Sequence, residues 1–240
     1  SDAGPIENKI SGDGVIRVAG EVSVKSSDIS DYHGEWDVLG KLKTVDGSFT
    51  TSSQWGTGNV NIEPQGSVVV TNNSDSSLFV FDNTLSGSGT LLVNFSGSEN
   101  GTDLYTPTFK IQQGTISGFT GMVELAGEKN KKVVYILDSD ELSTSGIRVN
   151  DNSVLSVGRD DSSKETFTLG TLDIAGGELN IGDIQTGSPT SYKTIRITKK
   201  LNADGEGTVR IDTSAGFINA VPATESEPVS YTHLTLPTKA

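Results

Sequence analysis

Apolar and polar residues alternate in short runs along most of the chain, with a period of two. Clear examples are residues 15–18, 91–95, 154–157 and 195–197. Successive side chains of a strand point to opposite faces, so this period predicts short strands with one buried face. Gly, Asn, Asp or Ser occupies nearly every gap, as turns require. Residues 129–142 are the nearest candidate for a helix, but their β-branched centre favours a strand.

Two sequence modules recur with variable spacing. The first occurs at residues 10–18 (ISGDGVIRV) and 85–93 (LSGSGTLLV), with a looser third copy at 201–211 (LNADGEGTVRI). The second occurs at 32–38 (YHGEWDV) and 119–125 (FTGMVEL), and both copies read aromatic-x-Gly-x-apolar-acid-apolar. Internal repeats of this kind indicate stacked structural units with loops of different length between them. We expect about 20–25 residues per turn of such a solenoid.

The composition supports a repeat-built all-β fold. Only 33% of the residues are hydrophobic, which is low for one large shared core but enough if short strands bury residues against their neighbours. An antiparallel sandwich or jelly roll is the alternative, because Asp46-Gly47 and Asn100-Gly101 match hairpin turns. The repeated Gly-x-Gly-apolar modules favour a parallel β-helix over these folds.

Charge and residue content exclude several classes of function. The formal net charge is −13, so binding to nucleic acid or to an anionic membrane surface is disfavoured. The absence of Cys excludes disulfides, thiolate catalysis and Cys-ligated metals. No apolar run approaches the roughly 20 residues that a membrane-spanning helix needs.

The modules resemble the passenger regions of Gram-negative autotransporters of the pertactin-like and AIDA-like type. The matching residues are 85–92, 117–125 and 169–181, and the resemblance covers most of 10–213. It implies a right-handed, single-stranded parallel β-helix that acts in adhesion, aggregation or biofilm formation. It also implies a location on the surface of a Gram-negative cell, with attachment to the outer membrane through a C-terminal β-barrel that this sequence lacks.

This interpretation divides the sequence into two segments. We expect residues 1–228 to be a β-helical passenger fragment without its caps, acting as an adhesin or as a rigid spacer. Residues 229–240 resemble the in-frame translation of a transposase-type sequencing adapter, so we expect a non-native tail there. The expected partners are host surface proteins, glycans or other copies of the chain.

The sequence contains no convincing catalytic set, so we expect no catalysis, no cofactor and no metal. The two histidines are His33, in a turn, and His233, in the suspected tail. The Gly-Asp-Ser-Gly motif of serine-protease passengers is absent. The alternative function is a β-helical polysaccharide lyase or hydrolase, whose acids and bases lie together on one long face. Arg159 with Asp160 and Asp161 is one candidate group, and an aligned row of Arg148, Arg196 and Arg210 is another.

Three further positions are candidates for binding. Trp55 lies in a Gly-rich segment and is a candidate carbohydrate platform, and Asp160 and Asp161 are candidate binding acids. Trp36 aligns with Val123 in the second module, so we expect it in the core. The acidic run 138–141 has oxygen ligands of the kind Ca²⁺ prefers, but it lacks EF-hand spacing and is expected to be a solvated loop.

Overall fold

The structure is a computed structural model that describes residues 5–6, 8–25, 29, 31–44, 55–72, 78–95, 108–112, 114–128, 132–158, 164–181, 193–203 and 207–211. All regular elements in these ranges are β-strands. They include no helix that is long and apolar enough to cross a membrane.

Twenty strands occur in the described ranges. In chain order they are β1 (Ser11–Gly12), β2 (Val15–Val18), β3 (Glu21–Val24), β4 (Asp31–Tyr32), β5 (Glu35–Val38), β6 (Lys41–Thr44), β7 (Val60–Ile62), β8 (Ser67–Asn72), β9 (Leu78–Phe81), β10 (Leu85–Gly87), β11 (Thr90–Phe95), β12 (Thr108–Ile111), β13 (Met122–Leu125), β14 (Val133–Leu137), β15 (Gly146–Asn150), β16 (Ser153–Val157), β17 (Thr166–Ala175), β18 (Glu178–Ile181), β19 (Thr194–Ala203) and β20 (Thr208–Ile211).

The strands form a short pair, β1-β4, and three longer sheets. Sheet I has the order β2-β5-β7-β10, sheet II the order β3-β6-β8-β11-β13-β15-β17-β19, and sheet III the order β9-β12-β14-β16-β18-β20. Every pairing between these strands is parallel. The antiparallel alternative is therefore wrong for the described strands, and the predicted all-β class is confirmed.

The chain runs through the sheets in turn. We call the segment from one strand of a sheet to the next strand of the same sheet a pass. Neighbouring strands of a sheet belong to consecutive passes: Glu21 pairs with Lys41, 20 residues later, and Thr90 pairs with Met122, 32 residues later. The expected 20–25 residues per turn therefore hold for some passes and are exceeded in others. A parallel ladder needs a long connection back to its start, so extra residues are accommodated between strands without loss of register.

One hydrophobic cluster joins the passes, and aromatic rings form its centre. The ring of Phe79 lies 6.0 Å from that of Phe95 and 5.9 Å from that of Phe109, measured between centroids. The Tyr135 ring continues the series 5.5 Å from Phe109. We call these four residues the aromatic stack. Such ring pairs contribute about 0.5–1.5 kcal/mol each beyond the area they bury, so the stack fastens three sheet III strands to β11.

Sheets II and III bury their faces differently. Strand β11 alternates between partly exposed and buried residues, as the period of two predicts. In contrast, every residue of β14 and β16 is buried. Val134 and Ile136 alternate with the core residue Tyr135 and yet are also buried. Strands buried on both faces read as nearly continuous apolar runs, so the prediction of strands with only one buried face is wrong for β14 and β16.

A column of glycines lines the turn that precedes sheet II. A Cβ at Gly40, Gly89 or Gly121 would overlap with the carbonyl oxygen of the glycine one pass earlier. That close approach lets the passes hydrogen-bond at the turn, as in the 3.0 Å bond from Thr90 N to Gly66 O. The Gly-x-apolar signature in the sequence therefore marks a corner where two backbones touch.

The repeated modules lie at corners where the chain leaves one sheet for the next, not at equivalent positions in successive passes. The copy at 10–18 connects β1 to β2, the copy at 85–93 connects β10 to β11, and the copy at 201–211 connects β19 to β20. These are three different junctions: short pair to sheet I, sheet I to sheet II, and sheet II to sheet III. The modules share a local bend, and this explains why their spacing is irregular.

The second module behaves in the same way. Trp36 lies in sheet I and Val123 in sheet II, so the alignment does not place them at equivalent positions. Trp36 is nevertheless fully buried, which confirms the expectation that it belongs to the core. What the two copies share is a ring packed against a glycine: Tyr32 lies against Gly34, as Phe119 does against Gly121.

Candidate functional site

Trp55 is not a surface platform. Its side chain is 0% exposed, and its ring lies 5.9 Å from the Phe81 ring. Its carbonyl oxygen accepts a 2.7 Å hydrogen bond from Nε1 of Trp36, which ties the two tryptophans together in neighbouring passes. The indole therefore cannot stack on a sugar in this structure, because it fills the core beneath a Gly-rich surface segment. The other two binding candidates, Asp160 and Asp161, lie outside the described residues with Arg159.

The three arginines proposed as one row are separated. Arg148 lies in β15 of sheet II, where its Nη1 is 3.5 Å from Oδ2 of Asp173 in the next pass. Arg196 lies nearer the start of β19, and Arg210 lies in β20 of sheet III. The candidate row is therefore not formed, because Arg148 and Arg196 lie at different positions along sheet II and Arg210 lies in sheet III.

His33 has a simple environment. Its ring is exposed, and Nδ1 lies 2.7 Å from the hydroxyl oxygen of Thr57 in the next pass. A Ser-His-Asp triad needs a serine and a carboxylate on opposite sides of the imidazole. The hydrogen bond to a threonine is consistent with a structural contact between passes and supports no role in nucleophilic catalysis.

Charged side chains outside the core pair between passes. Sequence neighbours do not account for these ion pairs, since the partners are 20 to 46 residues apart. They include Arg17–Asp37 at 3.4 Å, Lys43–Glu21 at 2.5 Å, Lys110–Asp138 at 2.7 Å, Lys132–Glu178 at 3.3 Å and Lys164–Asp140 at 2.7 Å. Fully exposed ion pairs contribute only about 0–1 kcal/mol each, but the carboxylates of Asp37, Asp138 and Glu178 are mostly buried here.

The acidic run 138–141 follows β14, and its side chains form contacts with other passes. Oδ2 of Asp138 binds Lys110, whereas Oδ2 of Asp140 binds Lys164. Oδ1 of Asp140 also accepts a 2.6 Å hydrogen bond from the backbone nitrogen of Thr168. The two aspartates thus face different lysines. Among the described residues no group of three or more His, Asp or Glu side chains is placed to hold a metal ion.

Glu141 is largely buried and, unlike Asp138 and Asp140, forms no ion pair with a described Lys or Arg residue. It accepts a 2.9 Å hydrogen bond from the Tyr135 hydroxyl and a second, short one from Ser139. Burial raises the pKa of Glu141 above its ordinary value, and the charge of Asp138 adds to this effect. The hydrogen bonds act in the opposite direction because they favour the carboxylate, but desolvation is the largest of these influences.

Tyr135 is the partner that sequence reasoning missed. It is the last ring of the aromatic stack, and burial raises its pKa well above the usual value. The phenol therefore stays protonated at any ordinary pH and donates to Glu141. A usable signal was present in the sequence: a tyrosine inside an apolar strand needs a hydrogen-bond partner for its hydroxyl group, and an acid follows six residues later.

Comparison with known proteins gives one relative and no established function. The chain is 26% identical over 222 residues to a protein described as uncharacterized, YuaQ of Escherichia coli (strain K12). That match covers 91% of this chain but only 14% of YuaQ, so the chain spans a small part of that protein. No protein-family model matches the chain, and no solved structure matches it.

Proposed function

We propose that this chain is part of an extracellular passenger of a Gram-negative autotransporter, built as a right-handed single-stranded parallel β-helix. It acts in adhesion or aggregation, or as a rigid spacer, and has no catalytic role. The observation that carries the proposal is the unbroken parallel pairing of eight strands in sheet II. Right-handedness is supported by the strong preference of parallel crossovers for that hand. The sequence modules that resemble autotransporter passengers support the class, and the E. coli match fits a Gram-negative source.

A spacer must resist bending and unfolding outside the cell. Eight strands at a spacing of about 4.8 Å extend about 34 Å along the direction of stacking. Backbone hydrogen bonds join consecutive passes throughout, and the chain contains no cysteine for disulfides. Stiffness here comes from many short-range contacts between neighbours, as in other solenoids.

The polar surface supports binding or spacing better than catalysis. The ion pairs described above connect different passes, so these charges have partners within the fold. A general acid or base must instead reach a substrate proton, usually within about 3 Å. If the chain is an adhesin, its partner would contact the surface as a whole or the connections between strands.

The test has two parts. First, the purified chain and a longer native form are tested for binding to matrix proteins and a glycan array, and for aggregation of cells that display them. Binding or aggregation supports an adhesin, whereas its absence in both forms supports a spacer. Second, small-angle scattering measures the shape of the particle. A spherical particle, rather than an elongated one, would contradict the β-helix.

The enzymatic alternative is tested separately. Neutral and polyanionic glycans are incubated with the chain and examined for depolymerisation. Turnover that is lost on Asp160→Asn or Arg159→Gln would refute the non-catalytic function. Sequencing the complete gene checks the secretion route, since an unrelated downstream region would contradict an autotransporter.

A further inference from the structure

Residues 138–145 occupy the gap between β14 and β15, where the chain forms no strand. We call them the clamp segment. Its backbone oxygens accept hydrogen bonds from later passes: Leu142 O from Gly170 N at 3.0 Å, and Ser145 O from Thr171 N at 3.1 Å. Thr144 bonds through its hydroxyl to Phe119 O at 3.1 Å. The clamp segment therefore connects an earlier pass with a later one.

Glu141, the largely buried acid of the clamp segment, has no positively charged partner among the described residues. Tyr135 faces Glu141 from β14, and Ser139 and Asp138 face it from its own segment. The nearby lysines pair with the aspartates instead: Lys110 of β12 with Asp138, and Lys164 with Asp140. Within the described ranges, no Lys or Arg forms an ion pair with Glu141. Its carboxylate is stabilised by the hydroxyl groups of Tyr135 and Ser139 and by its own backbone N–H.

We propose that the clamp segment is a pH-responsive clamp, which holds the passes around it more firmly when Glu141 takes up a proton. Protonation removes a buried charge and its repulsion from Asp138, whose Oδ1 is itself buried without a hydrogen-bond partner in the described structure. The clamp segment should therefore open less often at mildly acidic pH and more often at neutral and alkaline pH. This device does not depend on the function proposed above.

The sign follows from proton linkage. The folded state holds the Glu141 proton more tightly than the unfolded chain does, because burial raises the pKa. Stability from this group is therefore greatest below the ordinary glutamate range and is lost as pH rises through the raised folded-state value. Each pKa unit of difference changes the opening equilibrium up to tenfold.

Hydrogen exchange of the whole chain is the direct test. Thr168, Gly170 and Thr171 donate their amides to the clamp segment, so their protection factors report its opening. Corrected for intrinsic exchange, protection in the wild type should rise several-fold between pH 7.5 and pH 5. Glu141→Gln should be strongly protected at both pH values. Glu63→Gln, in the sheet I region, is the matched control and should behave like the wild type.

Two further measurements keep the outcome clear. Tyr135→Phe removes a hydrogen bond that favours the carboxylate, so the transition should move to higher pH. Direct titration of the Glu141 carboxyl carbon by NMR needs no variant, and its pKa should lie above the ordinary glutamate value. A pKa at or below that value overturns the proposal. The same holds if Glu141→Gln keeps the full wild-type dependence on pH.

Discussion

At the glycine-lined turn before sheet II, we expect a single added methyl group to destabilise the fold. In Gly89→Ala, the added Cβ would meet the carbonyl oxygens of Glu63 and Gly66 and the Cγ2 atom of Ile62. Two of these three neighbours are backbone atoms, so they cannot rotate away as the end of a side chain does. Relief requires the two passes to separate at the corner.

The magnitude can be worked from three contributions. Overpacking in a filled site costs about 1–3 kcal/mol. Separation also weakens the hydrogen bonds Thr90 N to Gly66 O, at 3.0 Å, and Met122 N to Gly89 O, at 3.1 Å; each contributes about 0.5–1.5 kcal/mol. Loss of glycine freedom in the unfolded chain offsets about 0.4–1 kcal/mol of this. We expect a net loss of about 2–3 kcal/mol.

Gly20→Ala is the matched control. Gly20 lies in the same column, but a Cβ there meets nothing within 4 Å, and its φ is not in the left-handed region. The change should therefore leave stability unchanged or raise it slightly. Urea unfolding, followed by the fluorescence of the buried Trp36 and Trp55 and by circular dichroism, measures both variants. Equal midpoints for the two variants would refute the close-packed corner.

Three other substitutions test the core and the polar contacts. Trp55→Ala should lower the free energy of unfolding by about 3–5 kcal/mol, as measured in urea, whereas Val15→Ala should have little effect because Val15 is 67% exposed. Lys110→Met should cost about 1–3 kcal/mol at pH 7 because it leaves the mostly buried Asp138 without its cation; an unchanged unfolding midpoint would argue against the pair. Tyr32→Phe should cost about 1 kcal/mol, since the hydroxyl lies 2.6 Å from a backbone carbonyl oxygen; equal thermal stability would show that water replaces this bond.

The class of fold was predictable because its signals are local. Alternation with a period of two and frequent turn residues identified the strands, and β14 appears where the β-branched residues of 129–142 favoured a strand. Repeated Gly-containing modules indicated stacked units. The same locality limited the prediction: a module shows that the backbone bends, but it contains no information about which sheets meet at that bend.

The candidate site was less predictable, because it depends on contacts between residues far apart. Trp55 appeared exposed from its Gly-rich surroundings, yet its ring packs against Phe81 of the next pass. The acidic run was correctly noticed as a group. Its division into two ion pairs and one buried acid depends on Lys110, from an earlier pass, and Lys164, from a later one.

The sequence by itself determined the all-β class, the presence of short strands and the turns between them, because side-chain alternation and glycine geometry act within a few residues. Tertiary structure decided the register between passes, the burial of both faces of β14 and β16, and the position of Glu141, which forms no ion pair with a described Lys or Arg residue. These depend on the 20 to 32 residues between paired strands. The physical reason is that variable connections place unrelated sequence positions next to one another, and only their packing sets the local charge and solvent access.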